Sequence, residues 1–63
     1  MCLSSVYRDE PTQENLLARD VALIETEGDS VTLTDLFGRR ITVRGSICRA
    51  DLTGGVVILR PGD

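Results

Sequence analysis

Ser30-Val31-Thr32-Leu33-Thr34-Asp35-Leu36, a break at Phe37-Gly38, then Arg39-Arg40-Ile41-Thr42-Val43-Arg44: this stretch alternates apolar and polar residues twice around one reversal. Val31 and Leu33 fall on one face and Thr32 and Thr34 on the other, the period of a half-buried strand. Beyond the reversal, Ile41 and Val43 are expected inward, with Arg40, Thr42 and Arg44 outward. Just upstream, Val21–Glu27 reads as a strand that is apolar at its start and charged at its end. Gly28-Asp29 then supplies a turn, glycine accepting the torsions that tight hairpins require. Three runs and two turns make a β-meander.

Working outward from it, Gly45-Ser46 breaks the alternation and lets the chain turn a corner, and Ile47–Leu52 reads as a short strand. Thr53-Gly54-Gly55 is a strong hairpin turn. Val56-Val57-Ile58-Leu59-Arg60 is an unbroken apolar strand, buried on both faces if it is central or lies at a subunit contact. Pro61 ends it, since proline donates no ladder hydrogen bond. Toward the other end, Leu3, Val6 and Tyr7 flank two serines in a β-capable run. Arg8–Glu14, polar and interrupted by Pro11, is a solvated loop. Asn15–Arg19 leaves a helical turn and a strand both open. The pattern predicts an all-β fold of five to six short strands, as a small barrel or rolled sheet. Open edges invite aggregation, so closure or pairing with a second copy is favoured.

The chain has 63 residues and a formal charge of −3, with seven basic residues, all arginine, and no histidine. That length makes one domain over residues 1–63, close to the lower size limit. Such a chain buries only about 60% of the surface its unfolded form exposes, so a metal or a partner subunit is the expected source of extra stability. Two cysteines are too few for a disulfide framework. No run reaches the roughly 20 apolar residues of a membrane span, and no signal peptide opens the chain. The expectation is a cytoplasmic protein with free thiols and no membrane association. Without histidine, imidazole dyads and His-based zinc sites are excluded. Nothing supplies a nucleophile–base pair, so the chain reads as a binding protein and not an enzyme.

The candidate chemistry lies at the start, in Met1-Cys2-Leu3. Removal of the initiator methionine, usual before a small residue, leaves Cys2 with an α-amine beside its thiol, two donors that close a five-membered ring on a metal. Their reference pKa values, roughly 7.7–8.0 and 8.5, let a metal displace both protons near neutral pH. Thiolate with amine suits Ni(II), Cu(II) or Zn(II) and not Mg or Ca. One arm gives two donors; two arms across a dimer axis give the four of a planar site. The plainer reading of Cys2 is a half-buried small hydrophobe in an edge strand.

In order, the Met1-Cys2 start, Asp20-Val21 opening a strand, Glu27-Gly28, Leu36-Phe37-Gly38, Gly45, Asp51-Leu52 and Gly55-Val56-Val57-Ile58-Leu59 resemble the CooT-type small nickel-binding proteins. These are accessory proteins for nickel insertion into carbon monoxide dehydrogenase. The resemblance implies a homodimer of small SH3-like or Sm-like barrels, with Ni(II) held near the symmetry axis by Cys2 of each copy. It also implies a nickel chaperone or handling role, with a nickel enzyme such as carbon monoxide dehydrogenase as client. The backbone nitrogens of Cys2 and Leu3 are candidate co-ligands. Cys48 has no counterpart in that motif, and its neighbours Ile47 and Ala50 suggest a structural thiol.

Two other readings stand beside this one. Arg39, Arg40 and Arg44 on one hairpin fit an Sm-like RNA-binding module, since arginine reads phosphate well; the net charge and the shortage of aromatics oppose nucleic acid. A structural or regulatory dimer with an incidental cysteine is the third.

Overall fold

In the computed structural model, residues 3–62 are described. The alternation of residues 30–44 becomes the inner wall of the fold. Strand β3 (Ser30–Asp35) turns Val31 and Leu33 inward, 0% and 1% exposed. It pairs antiparallel with β2 (Leu16–Glu27) on one side and β4 (Arg40–Asp51) on the other. The remaining strands are β1 (Ser4–Arg8) and β5 (Val56–Pro61), and a single 3-10 turn, Gln13–Asn15, leads into β2. The five strands form a closed ring in chain order. Four contacts in the ring are antiparallel; the closing one, between β1 and β5, is parallel.

Closure with so few residues depends on two long strands that serve both walls. β2 pairs with β1 through Leu16, Ala18 and Val21, then with β3 from Val21 to Glu27. Between the halves Asp20 adopts a positive φ of 54°, a conformation that aspartate tolerates better than most side chains. β4 does the same at Gly45: residues up to Arg44 pair with β3, and those from Gly45 onward with β5. The sequence predicted a break at Gly45-Ser46 and a separate strand after it. The corner is there, but the chain turns it without leaving the sheet. Gly45 has φ 147°, and a Cβ on it would collide with the carbonyl group of Arg60. The strand count is therefore five. Asn15–Arg19 resolves as the end of the 3-10 turn followed by strand.

The core is small: Val6, Val21, Val31, Leu33, Val57 and Leu59, with Leu17, Ala18, Ile24 and Val43 packed against it. Full burial of each large aliphatic side chain contributes about 1.5–3 kcal/mol. β5 lies between β1 and β4, and three consecutive residues, Val57, Ile58 and Leu59, are buried, as the unbroken apolar run predicted. Val57 and Leu59 face the core; Ile58, 5% exposed, sits on the other face in register between Tyr7 and Arg49. Ile41 departs from expectation. It stands opposite Leu33 yet is 40% exposed, because the wall it faces, the first half of β2, stands off and leaves a groove.

Gly45→Ala is expected to destabilise the protein by at least about 2 kcal/mol, since the new methyl meets backbone and not a flexible side chain. Ser46→Ala, exposed one residue on, should stay within about 0.5 kcal/mol of the parent. Urea midpoints of the two variants check this.

Candidate functional site

Cys2, the residue on which the metal reading rests, lies outside the described residues, as does Met1. What the structure defines is the platform from which they leave. β1 is held on both flanks: Ser4 stands opposite Val21 of β2, while Ser5, Val6, Tyr7 and Arg8 run in parallel register with Val56, Val57, Ile58 and Leu59. The Ser5 N–H donates to the Gly55 carbonyl at 2.8 Å. Leu3, the first described residue and a candidate co-ligand through its backbone nitrogen, is half-buried. Its carbonyl oxygen would lie 3.1 Å from a Cβ placed on Gly55, whose φ is 70°. Glycine at that position thus lets the chain start rest close against the β4–β5 turn. The turn is fixed in its own right by the Gly54 N–H donating to Asp51 Oδ1 at 2.8 Å.

The β3–β4 turn flanks the chain start on the other side, because Val21 pairs with both Ser4 and Asp35. Asp35 organises this turn. Its Oδ1 accepts the N–H groups of Phe37 and Arg39, each at 2.9 Å, and its Oδ2 accepts Arg39 Nε at 2.8 Å. The Arg39 guanidinium also lies over the Phe37 ring, 5.5 Å from its centroid. Burial of the Asp35 carboxyl works to raise its pKa. The hydrogen bonds from Arg39 and Phe37, with the Arg39 charge, outweigh that and hold it below its ordinary value. The sequence reading missed this pin, although a carboxylate four residues before an arginine across Phe37-Gly38 was a readable signal. Beside it runs an open groove of about 470 Å³. Leu17, Ala18, Leu33 and Ile41 line its apolar part and Arg19, Asp20, Asp35 and Arg39 its charged part.

Among the described residues, no group of three or more histidine, cysteine, aspartate or glutamate residues could hold a metal ion. Cys48 does not join the chain start. It is exposed, its Sγ accepts from Arg60 Nη2 at 3.6 Å, and it lies beside Ile47 and Arg49, which pair with Leu59 and Ile58. That is the level of Tyr7 and Arg8, the far end of β1, two strands away. The expected structural thiol is thus a surface thiol with a guanidinium neighbour. The arginines of the RNA reading are engaged within the barrel. Arg39 pairs with Asp35 and Arg40 with Glu25, at 2.8 and 3.7 Å, and Arg44 has an interaction partner as well. No helix among the described residues is long and apolar enough to cross a membrane.

Comparison with known proteins bears on the whole chain. The family model described as CO dehydrogenase accessory protein CooT matches residues 1–60. Among solved structures, the barrel is similar to a crystal structure assigned to CooT of Carboxydothermus hydrogenoformans. The TM-score is 0.85 and the identity 22%, over 98% of this chain and 100% of that one. At that identity the likeness shows the fold. No curated protein sequence matches.

The Asp35 pin gives a pH dependence with a definite sign. A carboxyl whose folded pKa is depressed adds stability that is full above the unfolded value, near 3.9, and fades as pH falls through the folded value. Asp35→Asn should lower the urea midpoint at pH 7, and the gap to the parent protein should close as the pH is taken below about 4. Midpoints measured from pH 7 down to pH 3 test it.

Proposed function

The chain belongs to the CooT family of CO dehydrogenase accessory proteins, and from that premise we propose that it binds Ni(II) through Cys2 of two copies and passes the metal to a nickel-enzyme client. The observation that carries this reading is that the family match extends to residue 1 and so takes in Cys2. Three further features support it. A thiolate with nitrogen co-ligands, from the α-amine or from the backbone at Cys2 and Leu3, is a donor set suited to Ni(II). β1 is paired with β2 as far as Ser4 and with β5 as far as Ser5, so only Leu3 separates Cys2 from a strand held on both sides. One such arm supplies too few donors for a four-coordinate site, and two copies complete it.

In this mechanism the metal is cargo. Two thiolates from separate chains converge, the nitrogen donors complete the square, and binding releases protons as the thiols ionise. A site made of chain ends keeps a face open to an incoming ligand. A client's donors then replace the thiolates one at a time, and the two copies are left with reprotonated thiols. Carbon monoxide dehydrogenase is the client that the family description names.

Titration with Ni(II) is expected to give a thiolate-to-nickel charge-transfer band that saturates at one metal per two chains. Cys2→Ser should abolish it and Cys48→Ser should leave it intact. Retention of the band in Cys2→Ser, or saturation at one metal per chain, overturns the shared site. Nickel at a hundred times its dissociation constant stabilises the folded form by about 2.7 kcal/mol. In a domain of this size that raises the melting temperature on the order of 10 °C.

A further inference from the structure

The first half of β2 is paired on one side only. Ala18 stands opposite Val6 of β1 and Leu16 opposite Tyr7, and pairing with β3 begins only at Val21. Leu17, Ala18 and Arg19 therefore have β1 along one edge and, among the described residues, no strand along the other. The β1–β2 register also shifts on both sides of Val6, an irregularity of the kind that gathers at sheet edges and beside binding sites. Such an edge presents backbone donors and acceptors to any chain that can run alongside it. It ends at Asp20, whose carbonyl accepts the Leu36 N–H at 2.8 Å.

The open edge faces the groove of about 470 Å³, a volume within the range of ligand sites. The floor is apolar. Leu33 is buried, its cross-strand neighbour Ile41 is 40% exposed, and Leu17 and Ala18 are half-buried against the core. On the rim, Asp35 and Arg39 hold each other at 2.8 Å, and Asp20 stands at the closed end. The Arg19 side chain is different: it is exposed, and among the described residues it has no ion-pair partner. A free strand edge, an apolar floor and one unpaired cation specify the occupant between them. A compact small molecule satisfies the floor but leaves the edge bare. An extended chain satisfies both, because its alternate side chains point into the groove while its amides pair with the edge. A carboxylate on that chain makes a charge-assisted contact with Arg19.

We propose that the groove between the first half of β2 and the β3–β4 turn binds an extended segment of a partner protein. The segment adds as a strand along residues 17–19, with an apolar side chain over Leu33 and Ile41 and an acidic one beside Arg19. Three residues of edge span roughly 10 Å, so the contact is short and suits a transient partner. It uses neither Cys2 nor a second copy of this chain, and so does not depend on the nickel reading.

The probe is a capped heptapeptide that alternates valine and threonine, with glutamate in place of the central threonine, titrated into the protein and followed by its amide NMR signals. Shifts are expected at residues 17–19, 33 and 41. The same peptide N-methylated at every second residue, made in both phases, keeps its side chains but loses the donors of one edge. At least one phase should bind about tenfold more weakly or worse. Arg19→Glu, at an exposed position, should weaken the parent peptide roughly fivefold, and a peptide with lysine for glutamate should restore that loss. Ile47→Ser, at a residue 42% exposed opposite Leu59, should change nothing. Saturating peptide without shifts in the groove, or methylated peptides of both phases that bind like the parent, overturns the proposal. So do shifts at the same residues on concentrating the protein alone, which assign the groove to a second copy.

Discussion

Val6 has no exposed surface, and it reaches that state only because β1 is paired on both sides at once, antiparallel to β2 and parallel to β5. A strand of five residues could not hold its place on one ladder. Held on two, it closes the ring, adds Val6 to the core beside Val57 and Leu59, and removes the edges that a four-stranded meander would expose. It also fixes where Leu3 lies. The constraint that gives a 63-residue chain a closed core therefore brings Leu3 to one end of the barrel, beside the β4–β5 turn. Fold and candidate site depend on the same strand.

Much of this was legible in the order of residues. Alternation in Ser30–Asp35 and again from Arg40 to Val43 carried the meander, because a strand with one wet face must alternate. The run Val56–Arg60 announced a strand covered on both sides. Less legible was anything set by two walls meeting. Ile41 follows the inward period faithfully, but its exposure depends on how far Leu17 and Ala18 stand from it. Gly45 could be read as a corner. That the corner is turned inside an uninterrupted ladder follows from the closeness of Arg60, distant in sequence. For the site, a proposal for Cys2 was readable from its neighbours in the chain. The approach of Leu3 to Gly55 was not, because it joins opposite ends of the sequence.

The arginines show why composition can mislead about partners. Arg39, Arg40 and Arg44 cluster along one hairpin, the footprint expected of a phosphate-binding surface. In the folded chain, Arg39 holds a turn together through Asp35, and Arg40 faces Glu25 across the sheet. Exposed ion pairs of this kind add little to stability. They do remove the unbalanced positive potential that would draw a polyanion. The net negative charge of the chain disfavours nucleic acid still further.

The setting of Cys48 bears on which thiol could deliver a metal. Cys48 is anchored in the middle of β4, with Arg60 on one side and strand on both ends. A metal bound there would have to recruit donors from a rigid wall that offers none, and a client could approach from one direction only. Cys2 precedes the paired strand β1 with only Leu3 between, and on the proposed reading its donors are those of a chain end. On the proposed reading, affinity comes from bringing two such ends together and lability from their being ends. Nickel occupancy and association of the copies are then thermodynamically linked: whatever favours the pair tightens the metal, and whatever separates it lets the metal go. On that reading, a client that binds where two copies meet would loosen nickel without touching a sulfur atom, and delivery would then be set by the association of the copies as much as by the ligands.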